Sequence, residues 1–219
     1  MKQYLKHVAA VSVVCLSALG WSGATLGAQE IDPAVGLGEL LTEHDTFAAS
    51  FQQYTLSQEG TREEQSSGEF ALQRPDRFDW HTQKPFEQRI VSDGTYIWIY
   101  DPDLEQVTRK AADAQASSAP ALVLNGNVEA LRERFEIQLL EQQEGRLLYE
   151  LLPKASESSF VRIRLLFTDS VLSELLLEDS LDQRTLILLD GVQLDPPLDP
   201  ARFRFVPPQG VDLILDPGV

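Results

Sequence analysis

The sequence contains a single cysteine, Cys15, among its 219 residues. This cysteine lies inside the apolar stretch of residues 8–19, which follows the basic residues Lys2 and Lys6. A positive start followed by a short apolar run is typical of a secretory signal peptide, and the run is too short to span a membrane. Once such a peptide is removed, the chain has neither a thiol for catalysis nor a disulfide, so its core must be stable without cross-links.

The end of the predicted signal peptide is indicated by residues 26–28, Leu-Gly-Ala, which offer small residues at a cleavage site. We therefore predict a signal peptide over residues 1–28 and a single domain over residues 29–219. One domain of this length is common among all-β folds. The competing interpretation of the apolar stretch is a buried N-terminal helix.

Basic residues are scarce: 18 lysines and arginines stand against 34 aspartates and glutamates, for a formal net charge of -16. A domain this acidic is repelled by phosphate backbones and by anionic lipid headgroups. We therefore predict no nucleic-acid binding and no electrostatic docking to membranes. The charge serves solubility, or it steers a basic partner surface toward the protein.

Histidine is also rare, and only His44 and His81 lie beyond the predicted signal peptide. The motifs HExxH and GxSxG and a phosphate-binding glycine loop do not occur. A nucleophile with an adjacent base therefore has little support in the sequence. We predict neither an enzyme nor a metal or cofactor site.

Much of the remaining sequence alternates apolar and polar residues, as a strand with one buried face requires. Clear cases are residues 135–139 and 161–167, where phenylalanine, isoleucine and leucine alternate with charged or amide side chains. Turn signals such as Glu144-Gly145 separate the runs about every ten residues. The pattern predicts an antiparallel sandwich or barrel and not a series of βαβ units.

Two segments favour helix instead. Asp32 and Pro33 provide an N-cap and a proline at the first helical position. Residues 111–124 are alanine-rich, and a helical insertion between strands either plugs the end of a barrel or forms a lid over a binding face. The residues alone leave both alternatives open.

Residues 95–100, TYIWIY, are apolar on both faces of their predicted strand. One face can be covered by the core, and the sequence does not identify what covers the other.

Arg74 shares its strand face with Phe70 and Leu72, so it projects from an apolar surface. Buried there, its guanidinium requires acceptors for all its donors. Either the strand ends and Arg74 reaches water, or carbonyl groups of a covering helical segment accept its hydrogen bonds.

Residues 74–108 read RPDRFDWHTQKPFEQRIVSDGTYIWIYDPDLEQVT, and residues 203–211 read FRFVPPQGV. Together with the FxASFxQ stretch at residues 47–53, these motifs closely resemble the outer-membrane lipoprotein carrier proteins, the periplasmic LolA family. The matches occur in the family's order and spacing over nearly the whole predicted domain. The resemblance implies a mainly β fold: an incomplete antiparallel β-barrel, or half-barrel, with a helical lid over its concave hydrophobic face.

The resemblance also implies roles for particular residues. Arg74 takes the place of the family's latch, which holds the empty lid shut through hydrogen bonds to backbone carbonyls. Phe78 and Trp80 fall at the hydrophobic mouth, and we expect the even positions of residues 95–100 to face inward with them. The predicted cavity or mouth residues are Phe47, Phe51, Phe70, Leu72, Phe78, Trp80, Tyr96, Trp98 and Tyr100. The predicted lid residues are Leu37, Leu40, Leu41, Pro120, Leu122, Val123 and Leu124.

The function implied by the resemblance is that of a periplasmic chaperone that binds the acyl chains of lipoproteins. Such a protein accepts acylated lipoproteins from an inner-membrane ABC transporter and passes them to an outer-membrane receptor, without a cofactor and as a monomer. The alternatives are the receptor of the same fold, a periplasmic stress sensor with a related half-barrel, and a secreted hydrolase. The receptor requires a lipidated cysteine after its signal peptide, the sensor a second domain or anchor, and the hydrolase a nucleophile with its base.

Overall fold

The computed structural model describes residues 32–56, 62–112, 123, 126–156 and 158–216. Within them, twelve strands form one sheet, accompanied by two short α-helices and a 3-10 turn. The predicted signal peptide and the predicted lid residues Pro120, Leu122 and Leu124 lie outside the described residues. Among the helices described, none has the length and apolar character needed to cross a membrane.

Helices and strands do not alternate along the described chain. A helix comes first, six strands follow, and a second helix precedes six more strands. Their bounds are α1 Pro33–Thr42, β1 Thr46–Leu56, β2 Arg62–Gln73, β3 Arg77–Lys84, β4 Gln88–Asp93, β5 Tyr96–Asp101, β6 Gln106–Ala111, α2 Val128–Arg134, β7 Phe135–Gln143, β8 Arg146–Pro153, β9 Phe160–Thr168, β10 Val171–Asp179, β11 Arg184–Leu194, the 3-10 turn Pro200–Phe203 and β12 Asp212–Asp216.

The strands pair in the order β12-β6-β5-β4-β3-β2-β1-β11-β10-β9-β8-β7. Neighbouring strands are antiparallel, except that β12 runs parallel to β6. In the described part of the chain, the end strands β7 and β12 do not pair with each other, so the sheet is not closed into a barrel. The predicted incomplete antiparallel barrel is confirmed, and the parallel β12 is a difference from it.

The sheet curves around one buried core. Phe78 of β3 and Phe135 of β7 belong to the same cluster of buried side chains, although their strands are seven steps apart in the sheet. A flat sheet with strands about 4.8 Å apart would hold such residues more than about 30 Å from each other. The two halves of the sheet must therefore bend toward each other, and the core lies on the concave side.

Helix α1 begins as its sequence predicts: the side chain of Asp32 accepts a hydrogen bond from the backbone N–H of Ala34 at 2.9 Å, and Pro33 occupies the first turn. Its apolar face, with Leu37 and Leu41, is buried. Gly38 faces α2 and lies against Val128 so closely that an added Cβ would overlap its side chain. The glycine that weakens helix propensity here therefore permits close helix–helix packing.

The register of the sheet decides which face of β5 lies inward. Phe78 of β3 is opposite Ser92 of β4, and Ser92 is opposite Ile97 of β5. Directly opposed residues project from the same face, so the odd positions of β5 share the concave face with Phe78. The prediction that the even positions face inward is therefore wrong. The residues that lie on the convex face instead are Tyr96, Trp98 and Tyr100.

The convex face of β5 is covered by the C-terminal segment, residues 195–211, which we call the strap. The ring of Phe205 lies 5.8 Å from that of Trp98 and 5.6 Å from that of Tyr100, measured between centroids. Phe203, in the 3-10 turn of the strap, is fully buried. The C-terminal segment thus covers the second apolar face of TYIWIY at Trp98 and Tyr100, whereas Tyr96 is exposed.

Candidate functional site

The concave face brings together an aromatic group predicted from the sequence. The ring of Trp80 lies 4.2 Å from that of Phe51 and 5.3 Å from that of Phe70, and Phe47 lies 6.1 Å from Phe70. Strands β1, β2 and β3 are neighbours, and alternate residues on them point to one face, which is why these rings meet. The six predicted residues of this cluster are Phe47, Phe51, Phe70, Leu72, Phe78 and Trp80.

The two helices cover this aromatic group. Leu37 and Leu41 of α1 and Leu131 of α2 are buried against the same core, and Leu40 is partly buried beside them. Val123, which precedes α2, is fully buried in the cluster as well. The predicted lid residues that are described therefore lie over the concave face, with their apolar side chains filling it.

Other residues of this face were not among the predicted site residues. They come from β8 to β11. Of these strands β9 shows a clear apolar face in its sequence, whereas residues 147–152 of β8 and 186–189 of β11 are apolar on both faces. Leu131 of α2 also belongs here, and no sequence motif marked its helix. The fully or nearly fully buried residues are Tyr149, Leu151, Ile163, Leu165, Phe167, Leu172, Leu175, Leu177 and Ile187.

A small pocket with a volume of about 40 Å³, partly open to solvent, lies beside the C-terminal end of α1. Its wall is mainly apolar, with polar groups contributed by Arg74, His44 and Ser170. The apolar residues around it are Leu40, Leu41, Phe47, Leu72, Phe167, Val171, Leu172 and Leu194. The pocket borders the covered face at the end of α1.

Arg74 stands in this pocket wall and is half-buried. Its Nε donates to the carbonyl oxygen of His44 at 3.0 Å, and its backbone N–H donates to the carbonyl oxygen of Asp45 at 2.9 Å. Burial lowers the pKa of the Arg74 guanidinium below its ordinary value, and the nearby Asp45 carboxylate opposes that change. The arginine therefore contacts the backbone at the end of α1 from a partly desolvated position.

The guanidinium of Arg74 also touches the segment that precedes α2. A Cβ atom on Gly126 would lie 2.6 Å from Nη1 of Arg74, and Gly126 has a φ of +66° that favours glycine. Arg74 thus lies between the ends of both covering segments, next to backbone in each case. The described acceptor of its side chain is a backbone carbonyl, but that carbonyl belongs to the connection between α1 and β1, so the role of Arg74 as a latch stays a prediction.

Polar chemistry at the site is sparse. Among the described residues, no group of three or more histidine, cysteine, aspartate or glutamate side chains is placed to hold a metal ion. The hydroxyl of Tyr149 lies under α1 close to Gly36, and burial, together with the Glu39 charge, raises the pKa of that phenol. The arrangement offers an apolar surface covered by helices and bordered by the half-buried guanidinium of Arg74.

A curved open sheet, an apolar concave face and helices packed over it define a protein that binds apolar ligands beneath a cover. The chain belongs to the family described as outer membrane lipoprotein carrier protein LolA, whose model matches residues 42–206.

Its relatives carry the same description. The outer-membrane lipoprotein carrier protein of Azotobacter vinelandii is 42% identical over 180 residues, which cover 82% of this chain and 86% of that protein. The protein of the same name from Pseudomonas entomophila is 38% identical over 207 residues, 94% of this chain and 99% of its own length.

A solved structure has a similar fold. It is that of an uncharacterized conserved protein from Thermus thermophilus, with a TM-score of 0.53 at 12% identity over 84% of this chain and 97% of the other. The likeness concerns the fold alone.

Proposed function

We propose that this protein carries lipoproteins across the periplasm by enclosing their acyl chains against its concave face. The observation that supports this most directly is the covered apolar face itself: aromatic and aliphatic side chains from two halves of the sheet lie beneath α1 and α2. The family to which the chain belongs, and the name of its relatives, agree with this function.

The free energy of acyl-chain transfer explains why a carrier is needed. Each buried CH₂ group contributes about 0.8 kcal/mol, so a chain of roughly sixteen carbons costs more than about 10 kcal/mol to expose to water. Unassisted diffusion of a lipoprotein with several such chains is therefore negligible. The carrier must offset most of this cost and still release its cargo.

The covering helices supply the opposing free energy. Leu37, Leu41 and Leu131 are each buried in the closed form, and exposing such a side chain costs about 1.5–3 kcal/mol. Acyl chains that enter must displace these side chains from the concave face. The net free energy of cargo binding is then the gain from burying the acyl chains minus the cost of exposing the helix side chains. The cost of opening the lid therefore sets the affinity.

Arg74 adds to the stability of the closed form in this proposal. The hydrogen bonds from its Nε to the His44 carbonyl and from its backbone N–H to the Asp45 carbonyl hold the connection between α1 and β1 when no cargo is bound. Opening breaks them, so part of the free energy of cargo binding is used to open the lid. Closing the emptied lid restores them, which favours release to a receptor.

The route through the cell is part of the same proposal. A signal peptide over residues 1–28 directs the chain to the periplasm, where the domain of residues 29–219 works as a monomer without a cofactor. It receives acylated lipoproteins from an inner-membrane ABC transporter and delivers them to an outer-membrane receptor. The task is binding and transfer, not catalysis.

Co-purification with matched cargo tests the function. The protein is isolated from periplasm in cells that express a lipoprotein or the same lipoprotein with its acylated cysteine replaced by serine. We expect the acylated form alone to co-elute with the protein. Equal co-elution of both forms, or of neither, contradicts the proposal.

A further inference from the structure

In the proposed function, α1 moves relative to β1 through residues 43–45, which connect the two elements. We call residues 44–46, the end of this connection and the first residue of β1, the hinge. Strand β1 lies between β2 and β11, and both are antiparallel to it. The residues that follow β2 and β11 therefore flank the hinge on opposite sides. They are Arg74 and Asp195.

On the β2 side, Arg74 binds the carbonyl groups of the hinge. The side-chain Nε donates to the His44 oxygen at 3.0 Å and the backbone N–H donates to the Asp45 oxygen at 2.9 Å. Both acceptors are backbone atoms, so their direction depends on how the hinge peptides are oriented.

On the β11 side, the Asp195 carboxylate binds the N–H groups of the same hinge. Its Oδ1 accepts from the N–H of Asp45 at 2.9 Å and from that of Thr46 at 3.3 Å. Its Oδ2 lies 2.7 Å from Nδ1 of His44. The backbone completes the attachment, because the Asp195 N–H donates to the Thr46 oxygen at 2.9 Å.

Arg74 and Asp195 bind opposite ends of the same two peptide groups. The peptide between His44 and Asp45 has its oxygen on Arg74 and its N–H on Asp195, and so does the peptide between Asp45 and Thr46. A trans peptide is planar, with its C=O and N–H pointing in opposite directions. Holding the N–H groups from one side therefore aims the oxygens at the other.

We propose that Asp195 is a positioning residue for the lid latch: its carboxylate orients the two hinge peptides so that their oxygens face Arg74. The proposal rests on the proposed function only in treating α1 as the lid. The hydrogen bond with the His44 side chain and those from the hinge N–H groups also lower the pKa of Asp195, which keeps the carboxylate an acceptor. Its φ of +51° lies in the left-handed region, which aspartate and asparagine tolerate better than most residues.

Asp195→Gly is the matching variant, because glycine adopts the same left-handed backbone conformation and removes both acceptor oxygens, whereas asparagine would keep one oxygen for the hinge N–H groups. The experiment is hydrogen exchange of the purified protein without cargo, read by mass spectrometry in peptides from α1 and from β9. We expect exchange in α1 to become about three- to tenfold faster, as for the loss of one or two net hydrogen bonds, and exchange in β9 to stay unchanged. Asp182→Gly, at a φ of +61° in the turn before β11, is the control and should change neither.

A second comparison separates positioning from general support. If Asp195 acts through Arg74, then Asp195→Gly combined with Arg74→Leu should exchange in α1 no faster than Arg74→Leu alone. Independent, multiplying effects would overturn the proposal, and so would an unchanged rate in Asp195→Gly or an equal acceleration in β9. Because no cargo is present, failure of lipoprotein binding would overturn the proposed function and leave this result standing.

Discussion

Gly38 of α1 is in contact with Val128 of α2, and a Cβ atom on Gly38 would overlap Cγ2 of the valine side chain. The contact joins the two covering helices to each other above the concave face. Valine is stiff about χ1, so it cannot easily turn aside. The packing of the cover therefore depends on the absence of a side chain at position 38.

Gly38→Ala tests this contact. Alanine raises helix propensity by about 1 kcal/mol, which alone would stabilise the protein. Overpacking against Val128 costs about 1–3 kcal/mol, and we expect it to prevail, so that the free energy of unfolding falls. Urea denaturation of the variant measures the sign directly.

Val128→Ala provides the matched background for that measurement. With the valine methyl groups removed, we expect Gly38→Ala to stabilise the protein by up to about 1 kcal/mol, because only helix propensity remains. The two substitutions should therefore be coupled by about 1 kcal/mol or more. A change of the same sign and size in both backgrounds would show that the contact is unimportant.

Arg74→Leu removes the latch while keeping an apolar side chain. The empty lid then opens at lower cost, so we expect cargo to load and to bind about tenfold more tightly, given that a hydrogen bond from a charged group is worth about 1.5–3 kcal/mol. Delivery to the receptor should be slowed because closure no longer assists release. A two-component transfer assay with purified carrier–lipoprotein complex and receptor measures this.

Arg109→Leu is the control for that assay. The Arg109 guanidinium lies 4.4 Å from the ring centroid of Tyr96 on the convex face, away from the lid. The same change of residue there should leave transfer at the wild-type rate. Normal delivery by Arg74→Leu, or an equal defect in both variants, is incompatible with a latch.

The Asp195 contacts predict a dependence of stability on pH. Its pKa is lowered in the folded protein, chiefly by the hydrogen bond with the His44 side chain and also by the hinge N–H groups. A depressed carboxylate pKa contributes stability above the ordinary aspartate value, and this contribution is lost as the pH falls through the folded value. The difference in stability between wild type and Asp195→Asn should thus shrink as the pH falls below about 5. Urea titrations of both proteins from about pH 5 downward check this, and a difference that grows over that range would refute it.

The strap is attached to the convex face by a buried carboxylate. Asp79 is 3% exposed, and its oxygens each lie 2.7 Å from an arginine Nε, one of Arg89 and one of Arg202 in the strap. Asp79→Asn should lower the free energy of unfolding by about 3 kcal/mol, the lower end for breaking a buried ion pair, because the arginines are partly exposed. Cargo affinity should stay the same, since the change lies on the opposite face.

Glu69→Gln is the comparison for Asp79→Asn. The Glu69 carboxylate is 3.9 Å from Arg202 and exposed, so its removal should cost less than about 0.5 kcal/mol. Chemical denaturation of both variants shows whether burial of Asp79 or the mere number of nearby acids attaches the strap. Equal effects of the two changes would favour the second interpretation.

The alternation within single strands was readable from the sequence, and it correctly grouped Phe47, Phe51, Phe70 and Trp80 on one face. For β5 the same reasoning failed. Both of its faces are apolar, so either orientation turns an apolar row away from the core, and the pattern contains no preference. The pairing of Trp98 with Val91 decides the matter, and a single strand's sequence does not contain that register.

The backbone groups that bind Arg74 could not be predicted from the sequence either. The acceptors of Arg74 are carbonyl groups, which every residue carries, so their position at the start of β1 follows from the fold alone. The parallel direction of β12 likewise depends on the path of the strap, which crosses the convex face before the chain pairs with β6. The residue type predicted that Arg74 requires hydrogen-bond acceptors. The tertiary structure determines which groups accept those hydrogen bonds.

The central claim, that acyl chains enter on the concave face, is tested most directly by fluorescence quenching. Trp80 lies on that face beside Phe51, whereas Trp98 lies under Phe205 on the convex face. In a chain that begins at Gln29, and so lacks Trp21, the variants Trp98→Phe and Trp80→Phe each retain one tryptophan. A synthetic lipopeptide with brominated acyl chains should quench the first variant strongly and the second little. Quenching of Trp98 instead of Trp80, or of neither at saturating lipopeptide, would contradict the account.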